Sequence, residues 1–340
     1  MCLSLRLLLL LRRTNGERQR QHTRRDDPHG ENPLPSLTQG VRTAAVISYG
    51  RCVNWLRGVL MAFCALMVCA GGASTQTQVP SDGRLKTILA KKVIRIAYRI
   101  DARPFAFVND AKEPLGYSVD LCKQVTQSIA QQFGLPELQI EWVPVTVHTR
   151  FAAVTEAKAD IECGASTITL GRMKEIDFSI PVFVESTGIM VMGAANIHSF
   201  GDLVGKKIAV VTGTSNESAL QRLTQRQDLK ITLVPVKNHD EAIAALEGGK
   251  VDGFASDKML LVGAQLKRPD AFVLLPDDLS IEPYAIVVPR GDWALRLAVN
   301  TGLAQIFRSG RSAEVFERWF FGLRPGILLG AIYAVGGLAD

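Results

Sequence analysis

Asp160-Ile161-Glu162-Cys163-Gly164-Ala165-Ser166-Thr167-Ile168-Thr169-Leu170-Gly171-Arg172-Met173 decides how this chain is read. Ile161 and Cys163 alternate with Glu162, which is the pattern of a short strand. Gly164 breaks that strand. Ser166, Thr167 and Thr169 then place hydroxyls just ahead of Arg172. A strand, a turn of small residues and a helix start leave backbone N–H groups exposed. That is a built-in anion site, and an arginine there adds a two-pronged grip on a carboxylate or phosphate. The plainer reading is a helix cap beside a solvent-facing Arg172.

The flanking sequence repeats this layout. Before it, Val93–Arg99 alternates as a strand, residues 116–133 read as an amphipathic helix, 138–146 as a strand and 150–157 as a helix. After it, 188–192 reads as a strand. Then come a strand at 207–211, a Gly-containing loop opening a helix at Thr214-Ser215-Asn216-Glu217, a strand at 231–236 and a helix at 239–248. A strand at 251–255 leads into Asp257 and a helix to Leu266, with a further strand at 272–275. Residues 284–288 read as a strand back to the first unit, and 293–321 as helical with a break near Gly310.

Alternating strands and helices in both halves predict two α/β lobes with mainly parallel sheets. Two passages, near Ile189–Met192 and Ala285–Val288, would form a two-stranded hinge. Loops at the carboxyl ends of such strands face the cleft where ligands bind. Arg99, Arg150, Thr167, Arg172, Thr214, Ser215, His239 and Asp257 all fall at or near those ends.

The chain has 340 residues and a formal charge of +6. That charge is not spread along it. Residues 1–73 carry ten Arg, no Lys and four acids, whereas from Ser74 onward 29 basic residues meet 29 acidic ones. A neutral main body gives no argument for a nucleic-acid surface.

Residues 1–50 lack periodicity and read as a disordered or spurious extension. Residues 51–73 have a positive flank, a short apolar core and small residues at the end, the layout of a secretory signal. A lipoprotein anchor at Cys69 is the alternative there. Residues 74–84 read as a linker. Only Cys122 and Cys163 follow the signal, so an exported chain would hold either one disulfide or two buried thiols. Their spacing fits no metal-binding template.

Several motifs together resemble the periplasmic amino-acid-binding proteins of ABC transporters (solute-binding protein family 3), in particular the glutamate/aspartate-binding type. They are Arg99 with Pro104-Phe105, Gly116-Tyr117-Ser118-Val119-Asp120, and Val143-Pro144-Val145-Thr146 leading to Arg150. Glu162-Cys163-Gly164 with Arg172, Phe178-Ser179, Thr212-Gly213-Thr214-Ser215-Asn216-Glu217 and Asn238-His239-Asp240 complete them. The resemblance implies a type II periplasmic-binding-protein fold. Its first lobe would span 85–189 and 284–323, its second 190–283, with 324–340 as a C-terminal tail.

The resemblance also implies roles. Arg172, with Thr167 and the helix start at Thr214 and Ser215, would hold an α-carboxylate, and Ser166 would be a further ligand-binding residue. Asp257 would take the α-ammonium, while Arg99, Arg150 and His239 would surround a side-chain carboxylate. The ligand would be an acidic amino acid, the partner an inner-membrane permease and the compartment the periplasm. The protein would act as a monomer without cofactor or metal.

Val147, Ala165, Ile168 and Thr169 depart from the donors expected in acidic-amino-acid proteins of this type, which makes the pocket more apolar. The alternative function is a periplasmic enzyme on the same fold, of the cyclohexadienyl or arogenate dehydratase type. It would need an acid poised in the cleft, and Glu162 and Glu185 are the nearest. A receptor's sensing domain is a third reading. Gly213 stands in too sparse a loop for a phosphate-binding P-loop.

Overall fold

The computed structural model describes residue 80 and residues 82–226, 230–320 and 322–338. The expected leader, signal and most of the linker lie outside them. Strand β1 (Val93–Arg99) is buried on both faces along its second half, as a near-continuous apolar run requires when helices cover both sides of a sheet. It pairs in parallel with β5 (Gln139–Val145) and with β6 (Ile161–Glu162), the strand that opens the stretch quoted above.

Two long strands complete this sheet. They are β7 (Ile176–Glu185) and β13 (Glu282–Pro289), giving the order β5-β1-β6-β13-β7. β13 runs antiparallel to both of its neighbours, so the sheet is mixed with a parallel core. Helices α1 (Gly83–Lys91), α2 (Tyr117–Gln132), α7 (Trp293–Arg308) and α8 (Arg311–Phe320) pack over it. The expected break at Gly310 falls between the last two, where Gly310 has φ +77°. A three-stranded minisheet follows β1, made of β2 (Asp101–Ala102), β3 (Ala106–Val108) and β4 (Pro114–Leu115).

The second lobe repeats the plan. β10 (Thr232–Val236), β9 (Lys207–Val211) and β11 (Gly253–Asp257) are parallel, and β8 (Thr187–Met192) and β12 (Phe272–Leu274) complete the sheet, β8 antiparallel to both its neighbours. Apolar clusters fill both faces of this sheet.

The chain crosses between lobes at Ser186, since Glu185 still pairs with Glu282 in the first sheet while Thr187 pairs with Asp257 in the second. It returns between Leu279 and Glu282, Leu279 N–H donating to Thr187 O at 2.9 Å. Both passages therefore lie N-terminal of the expected Ile189–Met192 and Ala285–Val288. The polar run Glu185-Ser186-Thr187 occupies the gap between sheets, which leaves Gly188–Met192 wholly inside the second. Ser74–Asp340 forms one compact unit that contains both lobes and their cores, as a self-sufficient folding unit requires.

Cys122 and Cys163 are joined, pinning α2 to the end of β6 with their Cα atoms 6.4 Å apart. The tail is helical. α9 (Ile327–Gly336) packs on β7 and α7, and the Tyr333 hydroxyl sits 2.6 Å from that of Tyr117. Among the described residues no helix is long and apolar enough to cross a membrane.

Candidate functional site

Eight of the nine expected site residues line one small, narrow space between the lobes. Arg99, Arg150 (the first residue of α3, Arg150–Thr155), Thr167 and Arg172 come from the first lobe. Thr214, Ser215, His239 and Asp257 come from the second, joined by Asn216 and Ser256. Ser166 is the exception. It stands behind the wall, fully buried, and its Oγ accepts from Arg150 Nε at 3.1 Å. Its part is to aim Arg150.

The first-lobe wall is cationic. Arg99 and Arg150 are almost completely buried. Arg99 Nε donates to Asp101 at 2.8 Å, and its Nη2 has no hydrogen-bond partner. Burial, then the charges of Arg172 and Arg99, lower Arg150 to about 9, so it stays charged at neutral pH. Arg172 is held by Nη1 donating to Thr167 O at 2.7 Å. Its own N–H donates to Thr169 Oγ1 at 3.2 Å, which turns the chain at that point. The ring of Phe151, a residue the sequence did not single out, lies 4.1 Å from the Arg150 guanidinium and 5.1 Å from that of Arg172. Its face stabilises both cations.

The second-lobe wall carries the opposite charge. Asp257 precedes α6 (Lys258–Gln265) in the N-cap position, yet makes no side-chain cap. Glu185 does that from across the hinge, its Oε1 accepting from Met259 N–H at 2.8 Å. Asp257 Oδ1 is therefore left buried without a partner. Burial, with the nearby charge of Glu282, raises Asp257 to about 6; burial and the charge of Asp257 raise Glu185 to about 8.

His239 is the first residue of α5 (His239–Glu247), and Asn238 rather than His239 caps that helix. Burial and the charge of Arg99 depress the imidazole to about 4, so it is neutral. Nε2 lies 2.9 Å from Ser256 Oγ, and Nδ1 has no partner. His239 thus offers a hydrogen bond rather than a positive charge.

Thr214 is occupied structurally, its hydroxyl accepting from Glu217 N–H at 3.2 Å and donating to Val211 O at 2.7 Å to start α4 (Ser215–Arg226). Ser215 Oγ lies 3.1 Å from Thr167 Oγ1, a contact that bridges the lobes. His148 Nε2 makes a second bridge, to Lys237 O at 3.0 Å. The lobes are closed on each other.

Of the four departures from the expected donor pattern, Val147 and Ala165 line the space and Ile168 and Thr169 do not. Ile168 packs into a small cluster with Phe178, and Thr169 serves the turn. Glu162 emerges as an unexpected member. It is fully buried under the arginines, with neither carboxylate oxygen hydrogen-bonded, and burial raises its pKa against the pull of Arg150. Tyr284 is another, fully buried with its hydroxyl toward Asp257; burial and then that charge raise its pKa well above the ordinary value.

A wider groove, about 1290 Å³ and open, lies on the other side of His239 between Arg103, Phe107 and Phe272. Apart from the shared His239, no unpaired buried polar group faces it. The chemistry belongs to the smaller space. Among the described residues no group of three or more His, Cys, Asp and Glu could hold a metal.

The profile of the bacterial extracellular solute-binding proteins, family 3, matches residues 94–322, both lobes and the hinge included. The chain belongs to that family. It is 32% identical over 241 residues to an L-glutamate/L-aspartate-binding protein of Pseudomonas aeruginosa, covering 70% of this chain and 80% of the relative. It is 28% identical over 268 residues to a glutamate/aspartate import solute-binding protein of Salmonella typhimurium, covering 78% and 89%.

Among solved structures, an ancestral arginine-binding protein bound to arginine superposes with a TM-score of 0.59 at 27% identity, over 67% of this chain and 98% of that one. An ancestral amino acid-binding protein described as a precursor of cyclohexadienyl dehydratase gives 0.60 at 27% identity, over 70% and 100%. The fold of this family member is thus the two-lobed type II periplasmic-binding-protein fold.

Proposed function

We propose that this solute-binding protein takes an acidic amino acid, glutamate or aspartate, between its lobes and presents it to an inner-membrane ABC permease. The observation that carries this reading is the set of unpaired buried groups around one space. Arg99 Nη2 stands on one side, Asp257 Oδ1 on the other, with Arg150 and Arg172 beside Arg99. A buried charge without a partner is costly. A ligand with one ammonium and two carboxylates would satisfy both walls at once. Three lining arginines against one lining acid would repel a guanidinium ligand, which sets this site apart from that of the arginine-bound relative.

Glu162 lies buried behind the arginines and does not line the space. It is therefore not placed to act on a bound ligand as a general acid. Asp257 is the acid that lines the space, and this reading gives it the ammonium.

Isothermal titration of protein stripped of co-purified ligand by partial unfolding tests the proposal. Glutamate and aspartate should bind with one-to-one stoichiometry, and arginine, glutamine and neutral amino acids should give no comparable heat. Tight glutamine or arginine binding with none for the acidic pair would overturn it.

Proton linkage gives a second check. Empty-site Asp257 titrates at about 6, and a bound ammonium would favour its ionised form. Binding then releases a proton below that pH. Affinity should be level above pH 6 and fall by about tenfold per unit below it, until the ligand's own carboxylate protonates. Glu185, held at about 8, stays protonated across this window, and His239, at about 4, stays neutral. The Asp257→Asn protein should bind weakly and lose the pH dependence. An unchanged slope in that variant would remove Asp257 from the ammonium site.

A further inference from the structure

The first turn of α6 is capped from outside its own lobe. An Asp in the N-cap position ordinarily turns its carboxylate back onto the N–H of the second or third helical residue. Asp257 stands in that position, and its backbone, at φ −59° and ψ 130°, is extended as a capping residue's is. The second helical residue is Met259. Its N–H donates instead to Glu185 Oε1 at 2.8 Å. Lys258 N–H, one residue earlier, donates to Ser186 O at 3.0 Å. The crossing segment of the hinge therefore takes the first two N–H groups of α6.

Glu185 and Asp257 belong to different sheets. Glu185 ends β7 in the first, and Asp257 ends β11 in the second, paired with Thr187. Both side chains are buried. Asp257 lines the ligand space and Glu185 does not. Asp257 is drawn toward Tyr284 and Asn216, which leaves its Oδ1 without a partner. With Glu185 gone, Met259 N–H would be an orphan donor beside that orphan acceptor. A buried pair of this kind gains by meeting. An ionised carboxylate is also a strong acceptor, and the positive end of a helix favours it. Only the Glu185 side chain, reaching across the hinge, stands in the way.

We infer that Glu185 is a positioning residue of the binding site: by taking Met259 N–H, it keeps Asp257 Oδ1 free for the ligand's ammonium. The ammonium site is then complete only where the two lobes meet at the hinge. This role rests on Asp257 being the ammonium's partner, whereas the competition for Met259 N–H does not. Glu185, held at about 8, is a neutral acceptor at pH 7, so glutamine can stand in for it.

Two measurements test this. Carbon-13 NMR of ligand-free protein labelled at the aspartate carboxyls follows Asp257, with Asp257→Asn assigning its signal. Asp257 should titrate at about 6 in the wild type. Glu185, Glu282, Tyr284, Arg99, Arg150 and Arg172 all act on it, and a substitution at Glu185 leaves the other five in place. In Glu185→Ala the N–H arriving on Oδ1 should lower the Asp257 value by about one unit. In Glu185→Gln the amide oxygen keeps the cap, and the value should stay.

Titration calorimetry follows the ligand. Glutamate affinity at pH 7 should fall about tenfold in Glu185→Ala, since a helix cap must be given up before the ammonium is met. Glu185→Gln should bind as the wild type does. The pH below which affinity declines should move down with the Asp257 value. If Glu185→Ala does not fold, Glu185→Leu, which fills the space without an acceptor, takes its place. An Asp257 value unmoved in the apolar variant overturns the inference, as does an equal loss of affinity in Glu185→Gln. A lowered Asp257 value with glutamate affinity unchanged would uphold the exchange of caps and overturn the assignment of the ammonium to Asp257 instead.

Discussion

Arg172→Ala is expected to weaken acidic-amino-acid binding by about 2–5 kcal/mol, the cost of removing one partner of a buried, hydrogen-bonded charge pair. Arg172 suits this test better than its neighbours. Arg150 holds the field over Glu162 and is aimed by Ser166, so removing it would strand a buried carboxylate in the empty protein too. Arg172 touches no acid directly. Among the described residues its side chain donates to Thr167 O, and its guanidinium rests over Phe151. Burial lowers its pKa against the pull of Glu282 and Asp257, which shows that the empty site bears it at a cost. The ligand-free variant should therefore melt no lower than the wild type, while the shift produced by glutamate should largely vanish. Arg172→Lys should fall between, because an ammonium keeps the charge and loses the fork. Titration calorimetry on the three proteins gives the answer. Equal affinities would move the α-carboxylate away from Arg172.

The sequence carried the outline of this site because its parts are local. Arg99 ends a strand and Arg150 and Arg172 each start a helical turn, with Thr167 in the short loop between β6 and Arg172, and the period of the apolar residues marks those ends. The repeated strand–loop–helix order then sends them to one cleft. Contacts made across long stretches of sequence were not legible. Glu162 alternates with Cys163 as expected, but nothing local says that two arginines come to lie over it. Glu185 caps a helix that begins 73 residues later, and that contact explains why Asp257, in a position built for capping, keeps Oδ1 without a partner.

The hinge was misplaced for a related reason. Val182–Met192 is nearly continuous in apolar character, and its polar interruption at Glu185-Ser186-Thr187 looks like a turn only once two sheets are known to end there. The minisheet escaped notice because its strands are two or three residues long, too short for any period to show. The tail lacked a polar face to mark it as a surface helix.

Breaking the Cys122–Cys163 bond is expected to cost about 4 kcal/mol of stability, the loop-closure value for a link spanning some forty residues. The two cysteines belong to different elements, the middle of α2 and the end of β6, so the bond holds a helix against the stretch that forms the site floor. Cys122→Ala with Cys163→Ala is the cleaner variant, since it leaves no lone thiol. Its urea midpoint should fall and its slope should rise, because the unfolded chain loses a cross-link and exposes more surface. Ligand affinity should change much less. The turn after Cys163 keeps other ties: Ser118 Oγ donates to Gly164 O at 2.8 Å, Ile168 N–H to Pro283 O at 2.8 Å and Ala285 N–H to Ser166 O at 3.1 Å. Stability and binding should therefore separate, with the variant unfolding earlier yet binding nearly as well once folded. An unchanged midpoint, or two alkylatable thiols in the protein as purified under oxidising conditions, would show that the link does not form. A loss of affinity as large as the loss of stability would show that the bond, rather than these three hydrogen bonds, sets the position of Thr167.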